Sequence, residues 1–381
     1  MTENKTESQP AKASGLAGVV AGQSSVGFID GKQGILRYRG YDIHELADKS
    51  TFEETVYLLW NGDLPSRAEL ADFTTFLAAQ REVPAPVLEF IQNAPTDASP
   101  IGLLRTAVSG LGQYDPDAED ISDAANKRKA GRLTAQLATL VAAIERCRKG
   151  NEPIAPDPAL GHAANYLYML RGERPSATEA RALDVALVLH ADHGFNASTF
   201  SAKVTAATLS DMHSAITSAV GTLKGPLHGG ANQRVREMLD EIGSTERVPE
   251  WVTEKLAKKE RIMGFGHRVY KVEDPRARHL RASAEALRAS GDPSLLDISA
   301  RLVDVVHEAK GLEVNVDFWS ASLYSYLNLA PRSFPAIFAL SRISGWTTHV
   351  MEQYADNKLI RPRAEYVGPD ARDYVSVEDR G

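Results

Sequence analysis

The chain has 381 residues, 43% hydrophobic and 24% charged, with a formal net charge of −7. That length supports two or three domains around a sizeable core, and the acidic balance argues against a general nucleic-acid binder. The single cysteine, Cys147, excludes an internal disulfide and fits a reducing compartment, and no apolar run is long enough to predict a membrane span.

Residues 1–15 are polar and read as a disordered tail. The small-residue run GLAGVVAG at 15–22 has no basic cluster ahead of it. It makes a poor signal peptide, so the cytoplasm is the default location. Residues 16–39 hold the main β-structure: SSVGFID and GILRYRG flank Asp30-Gly31, a dipeptide suited to a tight hairpin turn. Helix signals dominate from there on. Ser50-x-x-Glu53, Ser66-x-x-Glu69 and Ser176-x-x-Glu179 each match a capping box. Residues 129–149 and 177–191 are long, Ala- and Leu-rich runs without Pro and, apart from Gly131, without Gly; Cys147 lies in the first, where an inert thiol is expected. The second is apolar nearly all round, which predicts a buried helix. Asp- and Pro-rich stretches at 114–127 and 151–160 read as surface connectors. A last helix is predicted from Pro335 to Asn357, with Ile337, Leu340, Ile343, Thr347, Val350 and Tyr354 at helical spacing. The fold class is therefore all-α with a small N-terminal β-hairpin.

Chemistry concentrates in GPLHGGAN (225–232), GFGHRVYK (264–271) and NVDFWS (315–320). Each sets one ionisable side chain, His228, His267 or Asp317, among glycines or apolar residues. Glycine permits close backbone approach to a bound molecule, so these histidines are framed for contact rather than packing. His228 precedes a predicted helix N-terminus, whose dipole favours a neutral, hydrogen-bond-donating ring. Asp317 between Val316 and Phe318 is placed for a raised pKa, which suits a general base; helix capping is the plainer role for it. In HADHGFNAST, His190 and His193 fall three apart, a spacing open to metal ligation, but two ligands are too few for zinc. His193 at the helix end reads better as a ligand contact, and no metal is expected. Arg276, Arg342 and Arg361 suit a ligand with two carboxylates, with ordinary salt bridges as the competing role. Residues 251–281 carry nine Lys or Arg against four acids, an excess that suits a polyanionic small molecule as well as a solvated helix face.

Together with GVVAG, DGKQGILRYRGYDI, DPRA and SRISGW…RPRAEYVGP, these motifs resemble the citrate synthase family, in its short bacterial form, and the related 2-methylcitrate synthases. The resemblance runs from about residue 16 to 370. It implies a two-domain helical fold, with 16–225 and 331–381 as a large domain and 226–330 as a small domain that closes over the substrates. It implies a Claisen condensation of acetyl-CoA with oxaloacetate and then thioester hydrolysis, or the same reaction on propionyl-CoA. A metal-dependent hydrolase is the distant alternative. By the resemblance Asp317 is the base, His228 holds the thioester enolate and His267 polarises the ketone. His193, Arg276 and Arg342 are the oxaloacetate contacts, and Arg361 comes from the second subunit of a homodimer. Arg261, Ile262, Met263, Gly264, Arg268 and Lys271 form the coenzyme A contacts. No cofactor is implied, because the CoA thioester is a substrate.

Overall fold

The structure, a computed structural model, describes residues 14–16 and 18–380. The expected tail at 1–15 lies outside these residues except for Ser14 and Gly15. Three short antiparallel strands, β1 (Gly27–Asp30), β2 (Ile35–Tyr38) and β3 (Tyr41–Asp42), form one sheet in chain order. Gly27 pairs with Tyr38 and Arg37 with Asp42. The expected hairpin is present, but Asp30 ends β1 rather than opening a two-residue turn. The turn runs from Gly31 to Gly34, and Asp30 Oδ1 accepts the N–H groups of Lys32 and Gln33 at 2.8 and 3.0 Å. β3 is too short to leave a periodic signature.

Helices form the rest: α1 (Ile43–Lys49), α2 (Phe52–Asn61), α3 (Arg67–Ala79), α4 (Ala85–Gln92), α5 (Pro100–Leu111), α6 (Asp123–Arg148), α7 (His162–Arg171) and α8 (Ala177–His190). They continue as α9 (Ala197–Ala206), α10 (Met212–Leu223), α11 (Ala231–Ile242), α12 (Val248–Ala257), α13 (Ala277–Ala286), α14 (Ser294–Lys310), α15 (Val316–Tyr326) and α16 (Phe334–Ala355). Among the described residues, no helix is long and apolar enough to cross a membrane.

Two of the three capping boxes form, Ser66 with Glu69 and Ser176 with Glu179, each cap contributing about 1 kcal/mol. The third does not. Thr51 caps α2, Ser50 closes α1, and Glu53 accepts the His162 N–H at 2.7 Å instead. The demand comes from far along the chain: α7 starts from Gly161, which has no side chain to satisfy that buried N–H. α6 begins six residues earlier than its apolar run, because Ser122 caps it and Asp123 suits the first turn.

α16 is buried along most of its length and packs against α2, α5, α6, α8, α9 and α10. Helices α11 to α15 pack mainly on one another and meet the others chiefly through α13 and α15 on α8 and α11 on α16. Tyr38 of β2 binds the end of α8: its hydroxyl donates toward the carbonyls of Leu189 and Asp192 at 3.2 and 3.0 Å. The hairpin thereby braces the turn that carries His193.

Candidate active site

The loop at 264–266 zips to the segment leading into α15. Gly266 N–H donates to Glu313 O at 2.8 Å, Asn315 N–H to Gly264 O at 2.9 Å, and Asn315 Nδ2 to Gly266 O at 2.9 Å. Gly264 has φ of +82°, and a Cβ there would sit 2.8 Å from the Phe318 ring. Both the backbone conformation and the close approach exclude a larger residue. The His267 loop is thus tied to the first turn of α15, which carries Asp317.

Asn315 caps α15, its Oδ1 accepting the Asp317 N–H at 3.0 Å. Capping therefore falls to Asn315, and the Asp317 carboxylate is left free. Among the described residues nothing hydrogen-bonds to it. Burial pushes its pKa up to about 6; Arg276 and Arg342 pull against that, and Asp274 adds to it.

His267 is oriented by its own backbone. Its Nδ1 accepts N–H bonds from Val269 at 2.9 Å and Tyr270 at 3.1 Å, so the proton of the neutral ring sits on Nε2. Burial, then Arg276, lowers its pKa to about 4. The His193 ring lies 5.4 Å from the His267 ring, and its Nε2 is 3.2 Å from the Tyr270 hydroxyl. Burial and the nearby Arg276 and Arg342 cations hold its pKa well below the ordinary value. Both rings are neutral donors at neutral pH.

The two buried arginines differ in a way that matters. Arg276 is held by Asp274 through Nε–Oδ1 at 2.9 Å and Nη2–Oδ2 at 2.7 Å, both residues being almost fully buried. Asp274 Oδ2 also accepts the Val316 N–H at 3.2 Å, which links this pair to α15. Arg342, in the middle of α16, is 2% exposed. Its Nε donates to His190 O at 2.6 Å, and its guanidinium carbon lies 4.6 Å from the Phe338 ring centre. Among the described residues no carboxylate forms a salt bridge with it. Burial lowers its pKa to about 10. A buried charge without a counter-ion is costly, so this site calls for an anionic ligand.

His228 lies just before α11. Its Nε2 is 2.8 Å from the buried Ser198 hydroxyl, which also accepts the Trp346 indole N–H at 3.1 Å. Burial, then Arg342, lowers its pKa to about 4. Ser198 was overlooked in the sequence although it lies in the HADHGFNAST run; Tyr270 and Asp274 stand in or beside quoted motifs and were also missed. Their signal was spacing, Tyr270 three after His267 and Asp274 two before Arg276.

Not every expected contact gathers here. Arg361 is exposed on the extended C-terminal segment, with no hydrogen bond or ion pair among the described residues. Ile262 and Met263 pack partly against the core, whereas Arg261, Arg268 and Lys271 are exposed. With Lys258 and Lys259 they form a run of cations that makes no ion pair among the described residues. His190 is fully buried, with Nδ1 2.7 Å from Ala186 O. Among the described residues, no group of three or more His, Cys, Asp or Glu side chains is arranged to hold a metal ion. Phe318 and Trp319 belong to the core, whereas Leu227, next to His228, is openly exposed, at 89%.

The model for "Citrate synthase, C-terminal domain" matches residues 15–363. The citrate synthase of Haloferax volcanii is 49% identical over 96% of this chain and 98% of its own. A 2-methylcitrate synthase of Mycobacterium tuberculosis is 42% identical over 98% of this chain and 94% of its own. A crystallised ternary complex of the Thermoplasma acidophilum citrate synthase, with carboxymethyl coenzyme A and oxaloacetate, superposes with a TM-score of 0.92. That chain is 32% identical, covering 98% of this chain and all of its own. Matched by the family model over most of its length and nearly half identical to a full-length relative, the chain belongs to the citrate synthase family of acyltransferases.

Proposed function

We propose that the chain condenses acetyl-CoA with oxaloacetate and water to give citrate and free CoA, with no cofactor. The observation that carries this reading is a pair of unmatched charges. Among the described residues, Arg342 is a buried cation without a carboxylate in salt-bridge contact, Asp317 is a carboxylate of raised pKa without a hydrogen-bond donor, and no salt bridge joins them. A ligand bearing carboxylates and a carbon acid suits both.

Asp317 removes a proton from the acyl methyl group, and the thioester oxygen gains negative charge as the enolate forms. His228 supports that oxygen if its Nδ1 carries the proton, which requires Nε2 to accept from Ser198. The Ser198 hydroxyl donates to Asn196 Oδ1 at 2.8 Å and stands 2.8 Å from His228 Nε2. In this reading the one hydroxyl proton turns from Asn196 Oδ1, which keeps its two backbone N–H bonds, to His228 Nε2. The enolate carbon then attacks the oxaloacetate ketone, whose oxygen accepts a hydrogen bond from His267 Nε2–H as it becomes an alkoxide and ends as the hydroxyl of citrate, its proton balancing the one Asp317 removed. Water finally cleaves the thioester bond, leaving a carboxylate and CoA thiol. His193, Arg276 and Arg342 bind the oxaloacetate carboxylates and ketone. Arg261, Ile262, Met263, Gly264, Arg268 and Lys271 bind CoA, the exposed cations suiting its phosphates.

Residues 226–330 form the small closing domain in this reading, and 16–225 with 331–381 the large one. Closure keeps water from the enolate until the carbon–carbon bond exists. Arg361 completes the site of a second subunit in a homodimer. The exposed Leu359, Tyr366, Val367 and Tyr374 along the same segment suit burial against that partner. The enzyme acts in the cytoplasm. A hydrolase using His190 and His193 has no support in the site geometry.

Thiol release from acetyl-CoA on adding oxaloacetate tests the reaction. We expect kcat/KM to favour acetyl-CoA over propionyl-CoA, though one methylene is worth only about 1–3 kcal/mol. A tenfold preference for propionyl-CoA would instead establish a 2-methylcitrate synthase. The shared site is tested by mixing inactive Asp317→Ala and Arg361→Ala protomers. Random reassortment leaves one intact site in half of the dimers, so about a quarter of wild-type activity should return. No recovery after verified exchange removes Arg361 from the neighbouring site.

A further inference from the structure

The turn of the N-terminal hairpin rests directly on the loop that carries His267. Lys271 N–H donates to Gly31 O at 2.7 Å. Gly31 does not have a positive φ, so its backbone conformation is open to alanine. Space is not: a Cβ built there lies 2.1 Å from the Val269 carbonyl oxygen and 2.7 Å from its carbon. A few residues on, a Cβ at Gly34 would stand 2.9 Å from the Val272 side chain. The loop is therefore held from two sides. Residues 264–266 are bonded to 313–315, residues 269–272 bear on the turn, and His267 lies between.

We propose that Gly31 is a positioning residue for His267: its missing side chain lets the turn seat against Val269. That seat keeps the Val269 and Tyr270 N–H groups on His267 Nδ1, at 2.9 and 3.1 Å. Those two donors leave Nε2 as the protonated nitrogen, the one that serves the ketone. The inference rests on the role assigned above to His267. It gives the hairpin turn a task in the chemistry, beside the bracing of the His193 turn by Tyr38.

Alanine at Gly31 has to drive the Val269 carbonyl back by about 1 Å, and displacements of that size near a reacting group cost up to about 100-fold. In the full-length chain, Gly31→Ala is expected to lower kcat by about 10–100-fold with little change in thermal midpoint. The His267 ring supplies a readout that simple loss of packing does not move. With its Nδ1 donors displaced, His267 protonates at higher pH, and nitrogen-15 NMR of labelled histidine shows the change of tautomer. Arg276, Lys271, Asp274, His193 and Tyr270 face the ring in both proteins, so the shift is attributable to the lost donors. Asp30→Ala loosens the same turn from a half-buried position and keeps the question open to measurement if Gly31→Ala does not fold. It is expected to cost a few-fold in kcat, while the neighbouring Lys32→Ala leaves kcat unchanged. In a His267→Ala background, Gly31→Ala should add less than about twofold. A full additional loss there, or wild-type kcat and an unchanged His267 titration in Gly31→Ala, overturns the inference. Unchanged kcat in His267→Ala alone would instead sink the assignment of His267 itself.

Discussion

Asp317→Ala is expected to lower kcat by about 10²–10⁴-fold, the scale of a positioned general base. The residue sits at the second position of α15 with its carboxylate unbonded among the described residues, so the substitution removes the proposed base and little else. Loss of activity through misfolding is separable by a stability measurement. A buried carboxylate whose pKa is raised from 3.8 to about 6 holds its proton more tightly in the folded than in the unfolded state. Its contribution to stability is present below the ordinary value and is lost as pH rises through about 6. The isosteric Asp317→Asn should therefore be at least as stable as the wild type at pH 7 while remaining inactive. The same ionisation shapes the rate profile. kcat/KM should rise with pH to a plateau with an apparent pKa near 6, because His228 and His267, each near 4, are already neutral there. A loss of less than fivefold in Asp317→Ala, or an acid limb unmoved by Asp317→Glu, would assign the proton abstraction elsewhere.

His228→Ala is expected to cost about 10²–10³-fold in kcat, as for removal of a donor to a developing oxyanion. The neutral ring matters here. Burial and Arg342 both disfavour the imidazolium, so the ring donates a hydrogen bond without bringing a second positive charge beside Arg342. Ser198→Ala tests the tautomer separately. It leaves the imidazole in place but removes the hydroxyl that fixes Nε2, and about a tenfold loss is expected, one hydrogen bond's worth of orientation. A proton on Nε2 instead of Nδ1 would make Ser198→Ala neutral and would displace His228 from the enolate.

Arg342 illustrates how far a local reading reaches. Its place inside an apolar helix announced an anionic partner, and the fold leaves it without a carboxylate among the described residues. Arg276 carried the same reading, yet Asp274, two residues away, is its partner. The salt bridge leaves the proposed ligand contact open at that position, since Asp274 also accepts an N–H from α15 and so ties Arg276 to the helix of Asp317. For Ser50-x-x-Glu53, the capping pattern was right in kind but wrong by one residue. A remote backbone N–H at His162 competed for Glu53, and no local window contains that demand.

What the sequence determined by itself was whatever rests on short-range chemistry. Helix periodicity, caps, the hairpin and the glycine-framed histidines are properties of neighbours within a few positions, and the ordered motifs identified the family. Only the tertiary structure decided which of two similar arginines is neutralised, that Asn315 rather than Asp317 caps α15, and that Ser198 meets His228 across 30 residues. It also revealed that Gly31 has no room for a side chain because of Val269, more than 200 positions away in the chain. Those facts depend on packing and burial between distant segments. Desolvation, the main cause of the shifted pKa values at Asp317, His193, His228 and His267, arises only when the chain has closed around them.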